Sequence, residues 1–316
     1  MRLLILGAGA VGLSLAARLS PHCQVHAVCR PQHAARITRE GFTLRGIWGG
    51  GRYRFAAGPE APQGVTFDYC LITCKSQQTR AVCEQYRKLL GNCEVVSLHN
   101  GIGNEEIIGE YTARVIGGTI ITGFEWRDNA EVEVTVEAGP IRLGRFPEGL
   151  DPAVQRLVGL FQAAGLNVEG SDTIRANLWA KTLYNCALNP LGAITGVAYG
   201  ELADVNAWRV IERVVAEAHA VSVAEGAGLP WPTPGAYLDY LREVQLPATA
   251  GHHSSMLQDL RRGRETEIDF INGAVSRLGR RHTIATPAND MLVDMIRFQS
   301  GRRPTPSTEG RGYGAC

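Results

Sequence analysis

Short apolar runs alternate with amphipathic stripes through the first 170 residues. Arg2–Leu6 reads as a buried strand, and Ala10–Leu19 as a helix with Val11, Leu15 and Leu19 on one stripe. Gln24–Cys29, Phe67–Thr73, Glu94–Leu98 and Val115–Thr122 are further apolar runs of strand length. Phe42–Arg45 and Tyr53–Ala56 flank the glycine-rich stretch Gly46–Gly51 and predict a hairpin. Ala130–Val136 alternates apolar and charged residues with period two, the mark of an antiparallel strand wet on one face, and Ile141–Gly144 closes the sheet region. Strands alternating with helices predict a doubly wound parallel sheet.

The second half changes period. Asp151–Ala164 is helical, Ser171–Asp172 is a capping pair, and helical runs follow at 173–190, 205–227, 234–243, 255–280 and 288–299. The reading is an α/β N-terminal domain over 1–171 and an all-α C-terminal domain over 172–300. The Gly-, Pro-, Ser- and Arg-rich stretch 301–316 is expected to be a disordered tail.

Composition narrows the class. The 316 residues suit two domains, and 45% hydrophobic with 20% charged residues is ordinary for a globular protein. A formal charge of +1 gives no broad case for nucleic acid or an anionic membrane. The eight cysteines form no Cys-x-x-Cys pair, and the adjacent His252 and His253 cannot share a helical face, so neither disulfides nor a metal site is expected. The first apolar run leads straight into a glycine turn, and no run reaches membrane-spanning length, so a cytoplasmic protein is expected, as monomer or homodimer.

The chemistry begins at that glycine turn. Gly7-Ala8-Gly9-Ala10-Val11-Gly12 follows the first strand and opens the first helix, the spacing and context of a Rossmann-type dinucleotide site. Gly7 permits the turn, Gly9 lets a pyrophosphate approach the backbone, and Gly12 lets helix and strand pack closely. The second strand ends at Arg30 with no carboxylate for a ribose diol, which favours the 2′-phosphate of NADP(H). Lys75 and Asn100 lie just past two further strands, on the edge where a nicotinamide would arrive.

Two polar placements in the helical half are unusual. Lys181, Asn185 and Asn189 recur every four residues along one face of an apolar helix, which Pro190 is expected to kink or end. Glu267 falls on the stripe of Ile271, Ala274 and Leu278, where it requires a partner such as Lys181 or a substrate hydroxyl. Ser255 begins Ser255-Met256-Leu257-Gln258, which fits a capping box as well as a ligand contact.

Together these residues resemble the ketopantoate reductase (2-dehydropantoate 2-reductase) family over about residues 1–300. The matching segments are the glycine motif, Lys75-Ser-Gln-Gln78, Asn100-Gly101, Lys181-x-x-x-Asn185-x-x-x-Asn189-Pro190, Ser255 with Met256–Asp259, and Thr266–Gly273. The resemblance implies that Lys181 is the general acid and that Glu267 holds the substrate hydroxyl. It implies substrate contacts from Asn185, Asn189 and Ser255, and cofactor or site contacts from Lys75, Gln78 and Asn100, with Arg30 on the 2′-phosphate. The implied reaction is NADPH-dependent reduction of 2-dehydropantoate to pantoate, in pantothenate and coenzyme A synthesis. Tyr199, before Gly200-Glu201-Leu202, stands where enzymes of that pathway carry asparagine, and the resemblance implies that this position lines the substrate pocket. A paralogous reductase of another small 2-keto acid is therefore the alternative. A third reading, a non-enzymatic NADP(H) sensor, gives Lys181 and Glu267 no purpose.

Overall fold

A computed structural model describes residues 1–301, so all but the first residue of the expected tail lies outside the described residues. Leu3–Leu6 are fully buried, and this strand, β1 (Arg2–Leu6), lies inside an eight-stranded sheet. Beside it run β2 (Gln24–Val28) and β6 (Tyr69–Ile72), both parallel to it. β7 (Glu94–Ser97) and β8 (Val115–Thr119) continue the parallel order outward from β6. β5 (Ala56–Gly58) extends the other edge, parallel to β2. Beyond β8 the sheet reverses once, at β11 (Ile141–Arg145), and ends at β12 (Val168–Gly170). β1, β2, β6 and β7 are thus parallel, and their carboxyl ends deliver Gly7, Arg30, Lys75 and Asn100 to one edge.

A second sheet was not foreseen. β3 (Phe42–Gly46) pairs antiparallel with β4 (Gly51–Tyr53), as the hairpin reading requires, but Ala56 leaves the hairpin for the main sheet as the start of β5. The run read as one strand over 115–122 divides: β8 stops at Thr119, and β9 (Thr122–Asp128) joins β10 (Glu131–Glu137) in the smaller sheet, ordered β4-β3-β10-β9. In β10, Val132 and Val134 are fully buried while Glu131 and Glu133 are half-exposed, which matches the period-two pattern. Both apolar runs satisfied the same local pattern, and only the partner strands separate them.

From Ile174 to Ser300 the chain is helical, around its own core that includes Trp179, Leu183, Ile211, Val215, Tyr237 and Ile271. The long helix Ile174–Thr195 does not end at Pro190. Proline removes the donor that would meet the Cys186 carbonyl. The Asn272 side-chain amide supplies it at 3.2 Å, and Ser254 Oγ donates to the Asn189 carbonyl at 2.9 Å. The expected helix over 255–280 is instead two, Ser255–Arg261 and Asn272–Arg281, interrupted where Gly263 turns with φ +60°. Glu267 therefore sits in an irregular turn and not on a helical stripe, yet it is only 6% exposed. The cap of Ser255–Arg261 is Ser254, whose hydroxyl accepts from Met256 N and Leu257 N; Ser255 is left free of that task.

Candidate active site

A cavity of about 1050 Å³ runs from the glycine loop to the long helix and is lined from both halves of the chain. Gly7–Val11, Arg30, Lys75, Gln78 and Asn100 line it from the sheet side, and Lys181, Asn185, Asn189, Tyr199, Ser255 and Glu267 from the helical side. The structure thus brings every site residue read from the sequence except Gly12 to one cavity. Gly12 works behind it: a Cβ there would come within 2.3 Å of Thr73 Oγ1, so helix and strand could not approach as they do.

The loop itself fits a dinucleotide. Gly7 turns with φ +67°, and a Cβ on it would strike the Cys74 backbone. A Cβ on Gly9 would meet nothing within 4 Å, because that face opens on the cavity. The helix Ala10–Leu19 has no capping side chain at Gly9, so its first amides point to the space a pyrophosphate would take.

At the other end, Lys181 is 7% exposed. Its ammonium makes no hydrogen bond or ion pair among the described residues. Burial lowers its pKa to about 8, against the opposing charges of Glu267 and Glu105. One turn on, the Asn185 side-chain nitrogen is buried without a partner. Asn189 Oδ1 accepts the Tyr199 hydroxyl. The Tyr199 ring is wedged edge-on between Tyr184 and His252, at centroid distances of 6.0 and 5.4 Å. A lysine and an amide with unused donors on the wall of one cavity are unspent hydrogen-bonding capacity, costly unless a ligand takes it.

Glu267 is held differently from the sequence reading. Its partners come from the sheet edge: Asn100 Nδ2 donates to one oxygen at 2.8 Å, and Ser76 N and Oγ donate to the other at 3.1 and 3.0 Å. Lys75 stands 3.7 Å away and pairs more closely with Asp259, at 2.5 Å. Burial pushes the Glu267 carboxyl up, but Lys75 and these hydrogen bonds outweigh it and hold the pKa below its ordinary value. Lys181 acts on Glu267 through its charge alone. The close approach depends on Gly101 (φ +81°), where a Cβ would lie 2.0 Å from the Phe270 carbonyl. That carbonyl accepts from Ile102 N at 2.9 Å and ties the two halves together beside the carboxylate.

Four participants were not singled out from the sequence: Ser76, Asp259, His99 and Glu105. The first two lie inside segments already noted, but nothing in their spacing says that they face charged groups. His99 is buried, bonded through Nδ1 to Ser97 Oγ at 3.0 Å, and burial lowers its pKa to about 4, so it is neutral. Glu105 is 1% exposed, and burial raises its pKa to about 7. No group of three or more His, Cys, Asp or Glu residues is placed to hold a metal among the described residues.

A glycine loop, a carboxyl-edge cleft and a buried lysine facing it define a nicotinamide dinucleotide-dependent oxidoreductase. Comparison with known proteins specifies which. Residues 3–148 match the family Ketopantoate reductase PanE/ApbA, and residues 173–300 its C-terminal domain. The 2-dehydropantoate 2-reductase of Aquifex aeolicus is 31% identical, covering 94% of this chain and 96% of its own. That of Pyrococcus horikoshii is 30% identical, covering 94% and 97%. Among solved structures, a PanE/ApbA family ketopantoate reductase from Ralstonia eutropha superposes with TM-score 0.83 at 30% identity, covering 95% of this chain and 98% of that one. A D-mandelate dehydrogenase with NADH and anilino(oxo)acetate superposes with TM-score 0.86 at 25% identity, with the same coverage. The chain belongs to the ketopantoate reductase family.

Proposed function

We propose that this protein reduces ketopantoate (2-dehydropantoate) to pantoate with NADPH, as a cytoplasmic enzyme of pantothenate synthesis. The observation that carries the chemistry is Lys181: a buried, unpartnered ammonium opening on the cavity that begins at the glycine loop. NADPH is supported by Arg30 at the cavity mouth, at the end of β2.

A bound dihydronicotinamide would supply hydride to the C2 carbonyl carbon of the keto acid. As negative charge grows on the carbonyl oxygen, Lys181 stabilises it and passes it a proton, giving the alcohol and a neutral amine that solvent reprotonates. Asn185 and Asn189, one and two turns along, orient the substrate, and the free Ser255 hydroxyl lines the same space. Glu267, kept ionised by Lys75, Asn100 and Ser76, accepts the substrate hydroxyl and keeps Lys181 charged. Lys75 also bridges the sheet edge to Asp259. Gln78 borders the cofactor end.

Tyr199 favours a second reading, another small 2-keto acid. Its ring is 2% exposed and fills the corner next to Asn189. The D-mandelate dehydrogenase likeness shows that this fold accommodates other reductases. The test is NADPH and NADH oxidation against a panel of 2-keto acids, with wild type and Tyr199→Asn. The first reading predicts that NADPH is preferred, that ketopantoate is the best substrate, and that Tyr199→Asn leaves it so. Poor ketopantoate turnover by both forms, with brisk turnover of another keto acid, selects the second. No turnover of any keto acid would remove the reductase assignment.

A further inference from the structure

Several arginines of this chain pair with carboxylates, among them Arg36, Arg45, Arg80, Arg127 and Arg145. Three that line the cavity, Arg30, Arg262 and Arg264, have no such partner among the described residues. Arg30 follows β2 on the sheet side, and Arg264 lies in the turn after Ser255–Arg261 on the helical side. Both are exposed, both line the cavity, and neither has an ion-pair partner among the described residues. They are near enough for their like charges to act on each other and jointly on His33. Arg262 adds to the same field, while the nearby Asp259 is engaged by Lys75. His33 is 7% exposed, stacked on Trp126 at 4.6 Å, and its Nδ1 is buried without a partner. Like charges on two guanidinium groups that line one cavity repel, so a dianion held by both offsets that repulsion and gains two charge-assisted contacts.

We propose that Arg264 is the second cation of the 2′-phosphate site, so that the phosphate of NADPH is clamped between the two halves of the molecule. The proposal rests on the reading of Arg30 given above. It has a structural consequence, because Arg264 lies three residues before Glu267 on the same turn. A phosphate gripped by Arg264 fixes the segment that presents Glu267 to the substrate, so cofactor and keto acid favour each other's binding.

The test is fluorescence titration of wild type, Arg264→Ala, Arg264→Lys and Arg30→Ala with NADPH, NADH, adenosine 2′,5′-bisphosphate and 5′-AMP. Arg264 is exposed, so its substitution leaves the fold intact, which thermal denaturation checks. Arg264→Ala is expected to weaken NADPH and the bisphosphate about tenfold or more, the scale of a hydrogen bond to a charged group. NADH and 5′-AMP should be unchanged, and Arg264→Lys should recover part of the loss. Unchanged NADPH affinity, or equal losses for phosphorylated and unphosphorylated ligands, would overturn the role of Arg264. Arg30→Ala answers separately: if it fails to discriminate the two cofactors, the reading of Arg30 falls whatever Arg264 does.

Discussion

A lysine side chain buried to 7% exposure ordinarily surrenders its proton or finds a carboxylate. Lys181 does neither fully. Burial takes its pKa down to about 8, and the carboxylates of Glu267 and Glu105 stop it falling further. The sign of the consequence follows directly. An acid must be protonated to donate, and Lys181 is protonated below about 8 and loses its proton above it. The log of kcat/KM for the keto acid, which reports the free enzyme, should fall toward unit slope as pH rises past about 8. His99, neutral above about 4, contributes no limb in that range. A profile that rises through this region would mean that the lysine works as a base or not at all.

At the scale of elements, the long helix Ile174–Thr195, which presents Lys181, Asn185 and Asn189 to the cavity, continues past Pro190 because its neighbours repair the missing hydrogen bond. Asn272 is fully buried and donates to both the Cys186 carbonyl and Asn289 Oδ1. Asn272→Leu should leave both acceptors unsatisfied and cost about 1–3 kcal/mol, measured by urea denaturation. Wild-type stability in that variant would show that Asn272 is not what sustains the helix beyond Pro190. The sequence pattern made the polar face of this helix legible, since a four-residue spacing is a local property. It misjudged where the helix ends, because the repair comes from a residue 86 positions away. The same limit explains Glu267: a regular stripe suggested one helix over 255–280, whereas a left-handed Gly263 breaks it and the carboxylate is oriented by Asn100 and Ser76. The parallel sheet and its glycine loop were legible because their signals are short and contiguous. The smaller sheet was not, because its strands are drawn from separated segments that pair only in three dimensions.

In the whole molecule, neither half contains a complete site. The sheet edge supplies the dinucleotide loop, Arg30, Lys75 and Asn100; the helical half supplies Lys181, the two asparagines and Glu267. Contacts across the cavity, Asn100 and Ser76 to Glu267 and Lys75 to Asp259, tie the sheet edge to the helical half. The division of labour separates binding from chemistry, and it can be separated experimentally. The direct measurement is steady-state turnover of Lys181→Ala with NADPH and the best keto acid, alongside its NADPH dissociation constant from fluorescence titration. If the phosphates bind at the glycine loop and Arg30 as proposed, cofactor affinity should be close to wild type, while kcat falls about 10²–10⁴-fold, the range for losing a positioned acid. A variant that folds, binds NADPH and keeps a near wild-type kcat would contradict the account and leave the polar face of that helix a structural feature.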